Sequence, residues 1–465
     1  MNNNRRTHTL LNLVTDFEAL IERGEVGFFD RREFIDLINY YQEEQLVDKA
    51  IEVADFALEQ YKYINEFYLV KGKLLLQKNS PKLAIQFIEH AEKISPYDSE
   101  LRVLKAKALS MLGEIEEAKS ILIELGSVAQ VHNMIEIGLC ESYIFERQGD
   151  YENMYLKLKE VLSLSPENEE ALEKINYASA LSRRFEENIE FHQRLLNINP
   201  YNYLAWYNMG QSYANLGEYE DAIDAMEYSI LIKTDFESGY LDCADLCLQI
   251  NRFDQSIEIY KDYLNFFDND AYVLVNLVSS LLKMGRVDEA KEYALEAIKL
   301  DPYSDEAYFL LADIYKREEK WESALNAYFK AIEIEDSREE YFDGLAKMYD
   351  KLNEPIKAEQ YFDEVMELCP SEEEYYFDFA SFLIKQKRYP AALKVIKLSE
   401  ENVYSVKILY LKIVCLLGVN KRSRALALLD IVLEEDFKEH KIIQDLMPEA
   451  LEDESIKGIL NYYKK

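Results

Sequence analysis

Residues 203–236 space apolar and polar positions at helical intervals on both sides of Gly217, which predicts two amphipathic helices joined by a short turn. The landmarks are Trp206, Met209, Gly210, Tyr213, Gly217, Ala222, Met226 and Ser229. Thirty-four residues downstream the pattern returns as Tyr240, Cys243, Ala244, Cys247, Ser256, Tyr260 and Tyr263. A further step gives Leu274, Leu277, Val278, Leu281, Gly285, Ala290, Ala294 and Ala297. A fixed period of this length marks helical hairpins stacked into a solenoid, each burying its apolar stripe on its neighbours.

The same ruler covers nearly the whole chain. Repeats are expected to start near 31, 65, 99, 135, 169, 203, 237, 271, 305, 339, 373 and 404, so that the array spans 31–437. The third repeat is stretched to 36 residues, with the extra length near Gly126 and Ser127, and the last is degenerate. Residues 1–30 read as an N-terminal cap helix with Leu10, Val14, Phe17 and Leu20 on one stripe, ended by Gly24 and Gly27. Residues 438–465 read as one or two closing helices. Asp30 and Glu33 have the spacing of a capping box. Pro166, Pro200, Pro302 and Pro370 fall where one hairpin must end before the next begins. Pro81, Pro355 and Pro390 fall at the start of second helices, where a missing N–H costs nothing. Gly72, Gly210, Ala244, Ala312, Ala346 and Ala380 are expected to let the two helices of a hairpin approach closely, and no strand is expected.

Trp206, Met209, Gly210, Tyr213, Ala222 and Met226, with Pro302 closing the repeat at 271–304, resemble the tetratricopeptide repeat. The resemblance implies an all-α, right-handed superhelical solenoid of about twelve helix-turn-helix repeats with terminal capping helices. It also implies that the first helix of each hairpin lines a concave groove through a few fixed positions. Carried onto this chain, those positions give Tyr143, Arg147, Tyr177, Tyr207, Gln211, Asn215, Gln249, Lys283, Phe309, Lys316, Arg317, Lys347, Lys351, Phe377 and Lys385 as the partner-binding groove. Among them Lys283, Arg317, Lys351 and Lys385 recur once per repeat and form a basic ladder. Two readings stand for it. It can recognise acidic side chains or a terminal carboxylate, or it can complement the dipoles of the helices it ends. Asn39, Lys73 and Lys107 match only in part the positions at which some family members hold a terminal carboxylate, so no such clamp is expected.

Charge narrows the partners. The 465 residues carry 53 Lys and Arg against 88 Asp and Glu, a net charge of −35, which disfavours nucleic acid and anionic membrane surfaces and favours basic partners. No apolar run approaches membrane-spanning length, and Asp16 and Glu18 interrupt the N-terminal apolar stretch, so neither insertion nor a signal peptide is expected. Five cysteines without a framework of spacings point to a reducing, cytoplasmic setting. Phosphate-loop, dinucleotide, zinc-protease and nucleophile-elbow motifs are absent. Cys243 and Cys247, one helical turn apart, would need two further ligands to hold a metal, and both occupy core positions. His192 takes the packing slot of Met226 and Tyr260. No catalytic residue, cofactor or metal is therefore expected. The function expected is a non-catalytic protein–protein interaction scaffold that binds an extended peptide or a partner's helix in the concave groove. The alternative is a regulator or assembly factor that docks a folded enzyme on its acidic convex face. The sequence leaves the oligomeric state open.

Overall fold

The computed structural model describes residues 2–23, 27–126 and 131–463, and every regular element among the described residues is helical. The chain divides into two compact units, 1–239 and 240–465. In the first, α1 (Asn2–Arg23) precedes α2 (Arg31–Glu43), α3 (Val47–Gln60), α4 (Asn65–Gln77), α5 (Pro81–Ile94), α6 (Ser99–Leu112) and α7 (Ile115–Gly126). Next come α8 (Val131–Gln148), α9 (Tyr151–Leu164), α10 (Glu169–Ser182), α11 (Phe185–Ile198), α12 (Tyr203–Leu216) and α13 (Tyr219–Ile232). The second unit opens within α14 (Glu237–Gln249) and continues with α15 (Phe253–Phe266), α16 (Ala271–Lys283), α17 (Val287–Leu300), α18 (Asp305–Arg317) and α19 (Trp321–Ile334). It ends with α20 (Glu339–Lys351), α21 (Pro355–Leu368), α22 (Glu373–Lys385), α23 (Tyr389–Asn402), α24 (Val406–Gly418), α25 (Arg422–Glu435), α26 (Lys441–Leu446) and α27 (Glu454–Tyr463). Short 3₁₀ turns at Phe437–His440 and Pro448–Glu452 flank α26. The closing segment thus holds two short α-helices linked by 3₁₀ turns.

One backbone device joins the helices of every pair from α2 to α25. A single residue in the left-handed region ends the first helix: Gln45, Asn79, Gly113, Gly149, Arg183, Gly217, Asn251, Gly285, Glu319, Asn353, Lys387 and Asn420. The N–H of the next residue then reaches back to a carbonyl five residues earlier, as in Glu218 to Tyr213 at 3.0 Å and Arg286 to Leu281 at 2.9 Å. This Schellman turn satisfies the orphan carbonyls of the first helix. Glycine adopts that backbone freely, whereas Arg183, Glu319 and Lys387 hold it against their own Cβ. Second helices such as α3, α11, α13 and α17 consequently start without a side-chain cap. First helices such as α2, α6, α10, α12 and α18 are capped by Asp, Asn or Ser, including the complete box of Asp30 and Glu33 on α2. Pro81, Pro355 and Pro390 stand in the first turn of α5, α21 and α23, where expected.

The left-handed residues also measure the repeat. The step is 34 residues along most of the array, lengthens between Gly113 and Gly149, and shortens between Lys387 and Asn420. The expected stretching is therefore present, and α8 takes up part of it by starting at Val131 and running for 18 residues. Ser127, expected beside the insertion, and Gly24, expected to end α1, lie outside the described residues.

Packing follows the small residues. Ala50, Ala84, Ala118, Ala222, Ala290, Ala324, Ala358 and Ala392, equivalent positions near the start of second helices, are all fully buried. Opposite Ala222, a Cβ added to Gly210 would stand 2.8 Å from Met226 Cγ and 3.0 Å from the Ala222 carbonyl oxygen. Ion pairs tie neighbouring hairpins: Lys159 to Glu187, Lys261 to Glu289 and Lys291 to Glu318.

Two outcomes are expected in equilibrium unfolding. Gly210→Leu should lower stability by about 1–3 kcal/mol through overpacking against backbone that cannot retreat, and unchanged melting would contradict this seam. Lys387→Gly should raise stability by about 0.5–1 kcal/mol, because relief of left-handed strain exceeds the added freedom of the unfolded chain.

Candidate functional site

In the first unit, α4, α6 and α8 lie in succession and enclose an open cavity of about 290 Å³ lined by Lys73, Glu100, Val103, Lys107, Glu136 and Leu139. Its floor is apolar and its rim is charged. Lys73 Nζ lies 3.9 Å from Glu100, and Lys107 Nζ lies 3.7 Å from Glu170, an acid it shares with Lys174 at 3.2 Å. Cys140 closes one wall, and burial pushes its thiol up to about 12, so it is no nucleophile.

Further along, Lys174 Nζ stands 5.5 Å above the Tyr143 ring. Tyr177 is half exposed and meets Tyr151 edge-on at 5.7 Å. Tyr207 packs against Phe236 at 5.0 Å, and its hydroxyl accepts a bond from Gln211 Nε2 at 3.1 Å. Asn215 Nδ2 donates to the Gln211 carbonyl at 2.8 Å. Arg147, the last basic residue of α8, is exposed. The expected groove residues of this unit thus share one run of first helices. Tyr207 and Gln211 are tied to each other, while Tyr177 and Arg147 face water.

In the second unit the corresponding surface is largely self-paired. Asp245 accepts bonds from the Tyr260 hydroxyl, from the Tyr272 hydroxyl at 2.6 Å and from Asn276 at 3.3 Å. Burial and that carboxylate together hold the Tyr260 hydroxyl above its ordinary value. Asp313 pairs with Lys316 at 2.7 Å and Arg317 at 3.1 Å. Burial opposes its ionisation, but the two cations prevail and hold its carboxyl low.

Lys347 lies between Asp343 at 2.7 Å and Asp378 at 2.6 Å. Burial would lower this ammonium, yet the two carboxylates hold it high. One cation between two anions leaves a net negative charge, and Asp343 bears the cost. Its Oδ1 is buried without a partner, and burial raises its carboxyl despite Lys347. Phe309 packs 5.1 Å from Tyr341, and Phe377 is partly buried against the core. Gln249 is exposed at the end of α14.

The ladder residues Lys283, Arg317, Lys351 and Lys385 are the last residues of α16, α18, α20 and α22. They are not equivalent. Arg317 Nη1 donates to the Leu282 carbonyl at 2.8 Å, which satisfies a helix-terminal acceptor of the preceding hairpin. Lys351 Nζ lies 6.0 Å from the Trp321 ring centroid. Lys283 and Lys385 extend into solvent. Sequence reading passed over Tyr272, Asp378 and Trp321, which make these contacts. The available signal was their separation of about 30 residues from Asp245, Lys347 and Lys351, the distance between neighbouring hairpins.

His192 belongs to a buried polar relay. Its Nδ1–H donates to the Asn188 carbonyl at 2.8 Å, and its Nε2 accepts from Asn208 Nδ2 at 3.2 Å. Asn208 also donates to the Leu172 carbonyl at 2.7 Å, and Asn188 donates to Ser212 Oγ at 2.9 Å. The imidazole is fully buried, and burial lowers its pKa to about 4. Cys243 and Cys247 are buried and in no disulfide, and no cluster of three metal-ligating side chains occurs among the described residues.

This arrangement, first helices side by side with second helices behind them, defines an all-α solenoid of helical hairpins. Tetratricopeptide-repeat family models match residues 275–340, 193–224 and 66–98. The chain thus carries tetratricopeptide repeats. It is 21% identical over 286 residues to the TPR repeat-containing protein YpiA of Bacillus subtilis (strain 168), a match that covers 60% of this chain and 66% of that protein. It is 24% identical over 206 residues to the human protein O-mannosyl-transferase TMTC3, covering 41% of this chain and 22% of that protein. The chain therefore spans only part of the length of either relative. Among solved structures it is similar to YrrB, described as a TPR protein with an unusual peptide-binding site, at 15% identity, 40% and 94% coverage and a TM-score of 0.35. It is also similar to the Cut9–Hcn1 hetero-tetramer of APC/C, at 13% identity, 94% and 97% coverage and a TM-score of 0.37.

The relay has a pH signature. The unfolded chain takes up a proton at His192 below about pH 6.5, and the folded chain only below about pH 4. Stability should therefore fall as pH drops through that window, by up to about 3 kcal/mol from this group. His192→Met should flatten that part of the stability profile in urea unfolding at a series of pH values. An unchanged slope would show that the imidazole is not the buried neutral group described.

Proposed function

We propose that this chain is a non-catalytic protein–protein interaction scaffold, and that the first helices of its hairpins hold an extended peptide or a partner's helix. The observation that carries the reading is the open cavity of about 290 Å³ between α4, α6 and α8, apolar at the floor and charged at the rim. Concave sites of this construction bury apolar side chains and orient polar ones. Exposed side chains on first helices add contacts within each unit: Tyr177 and Arg147 in the first, and Lys283 and Lys385 in the second. Rigid tyrosine rings contribute contact area at low entropic cost.

The convex face is the weaker candidate. Several acids of the second helices are already engaged by lysines of neighbouring hairpins, as with Glu187 and Glu289. A folded enzyme docked there would compete with those pairs. The cytoplasmic setting expected from the cysteines belongs to the same proposal. Among the described residues no helix is long and apolar enough to cross a membrane.

Affinity capture with the wild type, Lys283→Glu/Lys385→Glu and Arg317→Glu tests the groove. The double variant should lose a captured partner without a change in melting. Arg317→Glu should instead lower stability by about 1 kcal/mol, because it strands the Leu282 carbonyl and repels Asp313. Retention of the same partner by the double variant would sink recognition by the ladder.

A further inference from the structure

Between the end of each second helix and the start of the next first helix, the second unit presents an edge distinct from both the groove and the convex face. Large apolar side chains project from it at the α15–α16, α17–α18, α21–α22 and α23–α24 junctions: Phe266, Leu300, Tyr303, Leu368 and Tyr404, with Tyr303 81% and Tyr404 72% exposed. The residues between them are acidic. Asp268 and Glu372 stand in the α15–α16 and α21–α22 junctions, Asp336 and Glu339 in the intervening α19–α20 junction, and none of the four is in an ion pair among the described residues. The one arginine of these loops, Arg338, is turned to Tyr341 at 3.1 Å and to Asp305. Helix dipoles favour acids in first turns, but they give no reason for large apolar side chains left exposed along the same edge.

We propose that this edge is a docking surface for an extended, Lys/Arg-rich polypeptide segment. The aliphatic stems of such residues pack on Leu300, Phe266 and Leu368, while their charged ends reach the carboxylates and the tyrosine faces. The molecule already contains the arrangement in miniature. Lys291 Nζ sits 4.8 Å from the Tyr315 ring and 2.8 Å from a Glu318 oxygen. Along the edge, exposed rings and carboxylates recur in neighbouring junctions without a paired cation, and the Tyr404 hydroxyl donates to Glu435. The excess of negative charge also registers in neighbouring groups, since burial and then Glu339 hold the Tyr375 hydroxyl and the Cys369 thiol above their ordinary values.

Geometry sets the length of the occupant. First helices packed side by side lie about 8–10 Å apart. An extended chain advances about 3.3 Å per residue, so roughly three residues pass each junction and a segment of about 12 residues passes those between Phe266 and Tyr404.

The probe is a labelled 12-residue peptide of four Gly-Ser-Arg triplets, titrated by fluorescence anisotropy at several salt concentrations. The wild type should bind it, more weakly as salt rises. The variant Asp268→Asn/Asp336→Asn/Glu339→Gln/Glu372→Gln should bind at least about tenfold more weakly, with a reduced salt dependence. Tyr303→Ser/Tyr404→Ser should weaken binding about threefold with the salt dependence kept, and it decides the matter should the charge variant lose helicity. Removal of the same charge from second helices, in Glu258→Gln/Asp288→Asn/Glu292→Gln/Glu322→Gln, should change binding less than about twofold. No binding by the wild type, or equal weakening by the edge and second-helix variants, overturns the proposal. The groove variant Lys283→Glu/Lys385→Glu leaves these edge residues in place, so the edge and the groove fail independently.

Discussion

How closely a second helix can approach the first is the constraint on which this molecule depends. Alanine at the equivalent position of most second helices is buried without remainder, and glycine or alanine often faces it from the first helix, as Gly210 faces Ala222. A contact this close leaves no room for adjustment, because packed interiors tolerate little added volume. Each hairpin then offers a flat apolar face to the next, and the array grows by repetition of one interface. Where the alanine is replaced, the seam is rebuilt rather than opened. Asn188 and Ser256 take its place in α11 and α15, and each makes a polar bond to a serine 24 residues onward, Ser212 and Ser280. The buried relay around His192 grows from the first of these exchanges. It is a structural solution to a polar residue in the seam, and the neutral imidazole is its consequence.

The same economy governs charge. A chain with a net charge of −35 would repel itself along a narrow array unless its cations were placed where they serve twice. Lys159, Lys261 and Lys291 each bridge one hairpin to the next, and Lys159 and Lys291 also lie over aromatic rings. Arg317 holds a carboxylate of its own helix and a carbonyl of its neighbour's. Exposed ion pairs contribute little singly, but they decide which charges remain for a partner. After this internal pairing, the groove of the second unit keeps mainly Lys283 and Lys385. The junction edge keeps carboxylates outside any ion pair among the described residues and leaves Tyr303 and Tyr404 largely exposed. The uneven distribution of unpaired groups, rather than the total charge, gives the surface its chemistry.

The period, the order of helices, the capping box at Asp30 and the two kinds of proline were legible in the sequence because each depends on residues within a turn or two of one another. The groove was legible as a set of positions but not as a set of contacts. Lys283 and Arg317 occupy equivalent places, yet one reaches water and the other caps the preceding hairpin. That difference comes from Asp313 and the Leu282 carbonyl, which no local pattern brings together. The left-handed turns divide in the same way. Gly113, Gly217 and Gly285 announce them, whereas Arg183, Glu319 and Lys387 adopt the same backbone because the packed helices on either side impose it.

By itself, then, the sequence determined the architecture. A 34-residue alternation of small, large and polar positions has one economical solution, helices paired and stacked, and local propensity and burial agree on it. Tertiary structure alone decided which side chains are available. It clamped Asp245 between two tyrosines and an asparagine, seated Lys347 between two aspartates, and left Tyr303 and Tyr404 exposed. The physical reason is range. Helix formation and capping are settled over a few residues, whereas the pairing of charges is settled between hairpins some 30 residues apart, once the backbone has brought them within reach.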